Sequence, residues 1–359
     1  MQATTAAATP PRAGRRLRDA VGQYGLIAVL LILPVVFGIQ DLREEGDLSR
    51  LANNLVDGLS NGAIWALVAI GYTLVYGIIE LINFAHGEVF MIGSFMAASV
   101  MATLGLTSSM NALGLVAGLV LTLLVTMAIP GVMNVMIERV AYRPLRGAPK
   151  LAPLITAVGF SFILQNVGLL WRGGSPEGLP DVIESQNSII ELGDIVITNG
   201  DLLAVGATVP LVLVMTVFIA RSRLGKAMRA TAQEPEAARL MGINVDTTIS
   251  MTFLLGGVLA GAAGLIYALY QTTIWYLQGF QAGLIAFTAA VMGGIGNVRG
   301  AVVGGFIIGT IQQICDNRDD LGILQFGPSW TPVYVFAYLV LIMVFKPSGL
   351  LGEQTREAG

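Results

Sequence analysis

Long apolar runs separated by short polar breaks organise this chain from one end to the other. The runs fall at 22–39, 55–79, 84–104, 111–137, 151–170, 202–220, 247–271, 280–297, 300–314 and 331–345. Most approach or reach the roughly 20 residues that a helix needs to cross a ~30 Å hydrocarbon core. The pattern predicts an all-α polytopic membrane protein with 8–10 transmembrane helices. Ten is the favoured count, and it falls to eight if 84–104 or 280–314 are re-entrant.

The polar breaks alternate in sign, and this sets the expected orientation. Residues 12–18, 139–150 and 221–239 are basic, whereas 40–50, 175–201 and 315–322 are mostly acidic. Placing the basic breaks in the cytoplasm leaves only Arg43, Arg50, Arg172 and Arg318 outside, among 20 Lys and Arg. Both termini are then cytoplasmic and the number of crossings is even. Residues 1–20 read as a basic tail, partly disordered over the Ala/Thr/Pro-rich first eleven. Residues 351–359 read as a second cytoplasmic tail. The basic stretch and apolar run over 1–39 resemble a signal peptide, but no small-residue cleavage pattern follows. The first run is therefore expected to be an uncleaved span, kinked at Pro34.

Composition narrows the picture further. Charged residues make up 12% of the 359, about half of the roughly 25% usual in soluble domains, and the mean hydropathy is +0.74. A sizeable soluble domain has no room. A single cysteine, Cys315, excludes an internal disulfide, and a single histidine, His86, excludes a multi-histidine metal site. Four G-x-x-x-G segments, at 114–118, 257–261, 300–304 and 305–309, are candidates for close helix packing, although 44 glycines make chance matches expected.

One stretch breaks the pattern. "RATAQEPEAARLMGINV", residues 229–245, is charged and helical between two apolar runs. Pro235 suits the first position of a helix and Gly242 the left-handed position just past its end. Between them Ala237, Leu240 and Met241 share one face, with Glu236 and Arg239 on another. Upstream, Leu224, Ala227, Met228 and Thr231 form a similar stripe flanked by Arg223, Lys226 and Arg229. Two short amphipathic helices on the cytoplasmic side are predicted. Resting on the inner leaflet suits the first. The second carries Glu234 and Glu236, which disfavour anionic lipid, and its small apolar face better suits a groove in a partner protein.

Here the chain resembles a known family. Glu236-Ala237-Ala238, three residues, then Gly242 is similar to the "EAA…G" cytoplasmic loop of ABC-importer permeases. The segment "ATAQEPEAARLMGINV" resembles that of the branched-chain amino-acid permease family, the LivH-type subunit. Residues 55–95, including "NFAHGE" at Asn83 to Glu88, and the glycine-rich residues 286–309 are similar to that family's other signatures. A longer N-terminal tail and the acidic loop "CDNRDDLGILQF" fit its pattern less closely. The resemblance implies a single permease domain over 21–350 with a coupling segment at 221–246. Arg229, Glu236, Ala237, Ala238, Leu240 and Gly242 would then couple it to an ATPase.

Asn83, His86 and Glu88 fall between the second and third spans, expected at or near the inner interface. They are candidates for gating or lining the translocation path. The plainer alternative is that they tie down a tight turn around Gly87. Spaced i and i+2, His86 and Glu88 do not share a helix face, and neither HExxH nor GxSxG occurs, so a catalytic pair is not expected. Asp57, Asn61, Gln165, Asn166, Gln271 and Gln281 are further polar residues in or near spans. The "GGIGNVRG" run lacks the GxGxxG spacing and its βαβ setting, and GxxxxGK[ST] is absent. No ATPase activity of its own, no cofactor, no metal and no nucleic-acid partner are expected.

The resulting expectation is a membrane permease subunit of an ABC importer for branched-chain or hydrophobic amino acids, in a bacterial inner membrane. By resemblance its partners are two ATP-binding cassette subunits, a second related permease, an extracytoplasmic substrate-binding protein and membrane lipid. Urea or short amides are alternative substrates. An ion-driven secondary transporter is the rival class, weakened because no Asp or Glu is expected near a midplane.

Overall fold

A computed structural model describes residues 12–44, 46–149, 151–318, 320 and 324–352. The first eleven residues of the expected N-terminal tail and residues 353–359 of the expected C-terminal tail lie outside the described residues. Each predicted apolar run corresponds to one helix: α1 (Arg12–Glu44), α2 (Ser49–Ile79), α3 (His86–Leu104), α4 (Ala112–Ile137), α5 (Leu151–Arg172) and α6 (Asn199–Arg221). The later ones are α9 (Val245–Gln271), α10 (Gln278–Gly293), α11 (Val298–Asp316) and α12 (Thr331–Phe345). The two short helices expected on the cytoplasmic side are α7 (Arg223–Gln233) and α8 (Pro235–Leu240). Among the described residues, seven helices are long and apolar enough to cross a membrane: α2, α3, α4, α5, α6, α9 and α11. The chain is a multi-pass helical membrane protein.

The expected span over 280–297 is corrected by the backbone. α10 stops at Gly293 because Gly294 and Gly296 take φ of 108° and 92°, values that a helix cannot continue through. Its 16 residues make a rod of about 24 Å. Asn297 then caps α11, its Oδ1 accepting from the backbone N–H groups of Arg299 and Gly300.

Small residues bring the inner helices together. α2 is buried without interruption from Ser60 to Val75, and α9, α10, α11 and α3 pack around it. α11 carries two of the predicted glycine pairs on different faces. Gly300 and Gly304 lie on the backbone of α10, whereas Gly305 and Gly309 lie on that of α2. A Cβ on Gly305 would fall 2.6 Å from the Ala66 Cα. Gly257 and Gly261 of α9 pack likewise against α4, a Cβ on Gly257 falling 2.9 Å from the Gly131 Cα. The fourth pair is different. Gly114 and Gly118 meet side chains of Asn111, Met110 and Leu106 and no neighbouring helix backbone. In lipid, where apolar burial gives helices little reason to associate, such backbone approach supplies the attraction.

The outer helices show the complementary pattern. Leu113, Leu121, Leu124, Phe162, Ile163, Leu170, Leu213 and Val214 on α4, α5 and α6 are all exposed, as expected of surfaces solvated by acyl chains.

The acidic breaks fold as small ties. The α5–α6 connection forms a hairpin of β1 (Ser188–Leu192) and β2 (Ile195–Thr198). Asn53 of α2 holds it, donating to the Asp194 carbonyl and accepting from the Val196 N–H, each at 2.9 Å. The loop after α11 sends Arg318 into the bundle, where it makes a two-armed ion pair with Asp41 of α1. The Nη2–Oδ2 arm measures 2.8 Å, and both side chains are buried. The guanidinium also lies 4.9 Å from the Phe37 ring centroid.

Candidate functional site

The expected coupling segment is built by local chemistry. Ser222 caps α7 by accepting from the Gly225 N–H at 2.9 Å. The predicted stripe faces inward, with Met228 and Thr231 buried and Leu224 and Ala227 half-buried. Pro235 starts α8. At the far end the Ile243 N–H donates to the Ala238 carbonyl and the Gly242 N–H to the Arg239 carbonyl, each at 3.0 Å. This paired closure requires a left-handed residue, and Gly242 has φ 83°.

Only one side of α8 meets the rest of the chain. Ala238 is buried, whereas Glu236 and Ala237 are exposed and Leu240 and Met241 are 89% and 83% exposed. The apolar face of α8 is present, and among the described residues nothing covers it. Arg229 sits apart from that face. It reaches back along α7 to donate to the carbonyls of Ile219 at 2.6 Å and Ala220 at 3.4 Å, in the last turn of α6.

Two residues beyond Gly242, Asn244 caps α9 through a 3.0 Å bond from the Thr247 N–H, so α8 joins a long helix almost directly. The start of α9 is clamped to the end of α4, which continues through a π turn at Glu138–Tyr142. Arg143 and Arg146 both pair with Asp246, at 2.9 and 2.5 Å. Arg146 also pairs with buried Glu138, whose other oxygen accepts from Ser250 Oγ at 2.6 Å. Deeper in, Asn134 of α4 donates to the Phe253 carbonyl of α9 at 2.6 Å and accepts from the Asn83 amide at 3.1 Å. Tyr142 donates to the Ile82 carbonyl at 3.1 Å. Asn83 thus ties the turn between α2 and α3 to α4 and, through Asn134, to α9.

His86 and Glu88 are not at the interface where they were expected. After Glu80 the chain turns back into the bundle, and α3 starts beside Gly71 and Tyr72 of α2, inside the bundle and short of that helix's end. His86 packs edge-on to Tyr72 with ring centroids 4.8 Å apart. A Cβ on Gly71 would fall 2.6 Å from the His86 Cε1, so that glycine makes room for the ring. Gly71 lies eight residues before the end of α2, about 12 Å along the helix. Glu88 points the other way, its Oε1 accepting from Gln165 at 2.9 Å and Ser161 at 3.1 Å, both on α5. Those residues are about 15 and 21 Å along α5 from its start, near its midpoint. The expectation of no carboxyl near mid-depth is therefore overturned by Glu88. The expectation that the two side chains diverge holds.

α10 begins at that same level. A Cβ on Gly87 would fall 2.7 Å from the Gly283 Cα, so the starts of α3 and α10 lie side by side. Buried polar atoms without a hydrogen-bond partner gather there: the Glu88 Oε2 and the Gln278 Nε2. Such atoms are costly and uncommon in protein interiors. A small cavity lined by Tyr72, Phe84, Ser161, Phe280 and Phe287 adjoins them. Sequence reasoning missed Ser161, Asn134, Tyr142 and Gln278. Gln165 was visible only as an amide within an apolar run. Among the described residues no cluster of three His, Cys, Asp or Glu could hold a metal ion.

The family model described as the branched-chain amino acid transport system permease component matches residues 54–345. The high-affinity branched-chain amino acid transport system permease protein BraD of Pseudomonas aeruginosa is 41% identical over 312 residues, covering 86% of this chain and 97% of that one. LivH of Escherichia coli, which carries the same description, is 38% identical over 302 residues, covering 83% and 94%. A probable LivH of Methanocaldococcus jannaschii is 26% identical over 297 residues, covering 80% and 88%.

Proposed function

The chain belongs to the family of branched-chain amino acid transport permease components, and from that membership we propose that it is the membrane-spanning subunit of an ATP-driven importer. Branched-chain and related hydrophobic amino acids are the substrates this reading favours, because BraD and LivH are named for them. The chain crosses the inner membrane ten times, with both termini and α8 in the cytoplasm. Separate ATP-binding subunits hydrolyse the nucleotide, a second permease completes the pathway, and an extracytoplasmic binding protein delivers the substrate.

The observation that carries this reading is the bare face of α8. A six-residue helix is too short to be stable alone, yet its Leu240 and Met241 stand unburied on a body fixed at both ends. Docked in a cleft of an ATP-binding subunit, α8 would move with that subunit and carry α9. The Asp246 and Glu138 clamp would pass the motion to α4, and Asn134 would pass it to Asn83 and the turn preceding His86. Asn83, His86 and Glu88 then gate the path where the starts of α3 and α10 meet. Both helix starts direct partial positive charge at this level, beside the unpaired Glu88 and Gln278 atoms.

A carboxyl at mid-depth would also suit an ion-driven transporter. Family membership and the exposed coupling face favour ATP coupling instead. Urea or short amides would fit the same architecture. Uptake of labelled leucine by cells carrying the complete importer separates the substrates. Unlabelled isoleucine and valine should compete, and competition by urea or acetamide alone would overturn the amino-acid assignment.

A further inference from the structure

Between the last turn of α6 and the first turn of α11 lies a cavity of about 320 Å³, lined by Thr216, Ile219, Ala220, Arg229, Val298 and Arg299, with Asn297 at its edge. Its charge is one-sided. Two guanidinium groups line it, and among the described residues no carboxylate does. Neither arginine makes an ion pair with any described residue. Elsewhere at this end of the bundle Arg143 and Arg146 are neutralised by Asp246 and Glu138, so the lack of acid here is local.

The two cations are held differently. Arg229 is anchored by its bonds to the Ile219 and Ala220 carbonyls, which use two of its five N–H donors and fix the plane of the rest. Arg299 extends from the first turn of α11. Asn297 is mostly engaged, because its oxygen caps α11 and one of its two amide hydrogens goes to the Leu351 carbonyl at 2.7 Å. The full positive charges available to an anion in the cavity are those of the arginines, with the Thr216 hydroxyl beside them.

The walls leading away from the cavity are apolar. Leu213 and Val209 lie one and two turns back along α6, on the face of Thr216 and Ala220, and are 58% and 41% exposed. Val303 lies one turn beyond Arg299 on α11 and is also exposed. A basic recess thus opens onto an apolar slot that runs along the helices.

We propose that this cavity binds the phosphate of an anionic phospholipid of the cytoplasmic leaflet, with one acyl chain lying along Val209, Leu213 and Val303. Guanidinium groups pair with phosphate through parallel N–H bonds, and basic recesses between spans at this depth suit phospholipid headgroups. Inorganic phosphate would satisfy the charges and leave the slot empty, as would a carboxylate of a partner protein. The proposal rests on the orientation given above and not on the substrate.

Native mass spectrometry of the full chain in detergent tests it, with dioleoylphosphatidylglycerol and dioleoylphosphatidylcholine as probes. The wild type should retain phosphatidylglycerol in preference. Arg299→Gln should lose about fivefold of that preference and Arg229→Gln/Arg299→Gln on the order of twentyfold. On the wild type alone the preference should collapse between about 0.05 and 0.5 M salt, which keeps the proposal open to refutation should a variant misfold. Equal retention of both lipids by the wild type, or an unchanged preference in the double variant, would overturn it. Full displacement by inorganic phosphate would assign the site to the free ion. Loss of the preference once ATP-binding subunits are bound would assign the arginines to that partner. Neither transport nor ATP hydrolysis enters the measurement, so its failure leaves the importer reading standing.

Discussion

Asn83 and Asn134, 51 residues apart in sequence, meet through a 3.1 Å hydrogen bond inside the bundle. Through it the turn between α2 and α3 is attached to α4, and through the Asn134 bond to Phe253 it is attached to α9. Replacing Asn134 by Leu would leave the Phe253 carbonyl and the Asn83 amide with one partner fewer. The Phe253 carbonyl keeps its place in the α9 ladder, so the expected cost is about 1–3 kcal/mol for the buried Asn83 amide left unpaired. Thermal unfolding in detergent should show a lowered midpoint for Asn134→Leu, and an unchanged midpoint would mean the bond contributes nothing.

The glycine seams make a paired prediction. At Gly309 an added methyl would strike the backbone of α2, whereas at Gly118 it would meet the flexible end of Leu106. Gly309→Ala should therefore reduce the yield of folded, monodisperse protein severalfold, and Gly118→Ala should not. Size-exclusion profiles of the two variants decide this, and equal behaviour would remove the packing argument.

Arg318 and Asp41 form a buried ion pair between α1 and the loop after α11. Removing one partner strands a buried charge, at roughly 3–5 kcal/mol. Arg318→Leu should unfold at a markedly lower temperature, and Asp41→Leu/Arg318→Leu should recover much of the loss. A double variant no more stable than the single one would show that burial of a lone charge is not the cause.

Local chemistry was legible in the sequence, and depth was not. Pro235 and Gly242 mark the ends of α8 because a ring at one position and a left-handed backbone at another are properties of single residues. Three of the four glycine pairs are packing seams because backbone approach in lipid needs nothing more than small side chains at the right spacing. The inward turn before His86 depends on Asn83 reaching Asn134, a contact that no window of sequence contains. Residues 84–104 therefore read as a span or a re-entrant segment with no way to choose, and Glu88 was expected at or near the inner interface when it lies against the middle of α5. Arg318 was read as one charge in an acidic loop for the same reason, since its partner is 277 residues away.

Co-purification of the ATP-binding subunits with this chain from its native host tests the central claim most directly. The comparison is between the wild type and two variants that leave the spans untouched. Leu240→Asp/Met241→Asp places charge on the exposed face of α8. Gly242→Val forces a β-branched residue into the left-handed region, at about 1–2 kcal/mol. The wild type should bring the ATP-binding subunits with it, the double Asp variant should not, and Gly242→Val should show weakened assembly or ATP hydrolysis no longer coupled to substrate. Full retention of the ATP-binding subunits, with normal coupled hydrolysis, in both variants would contradict the assignment of α8 as the coupling element.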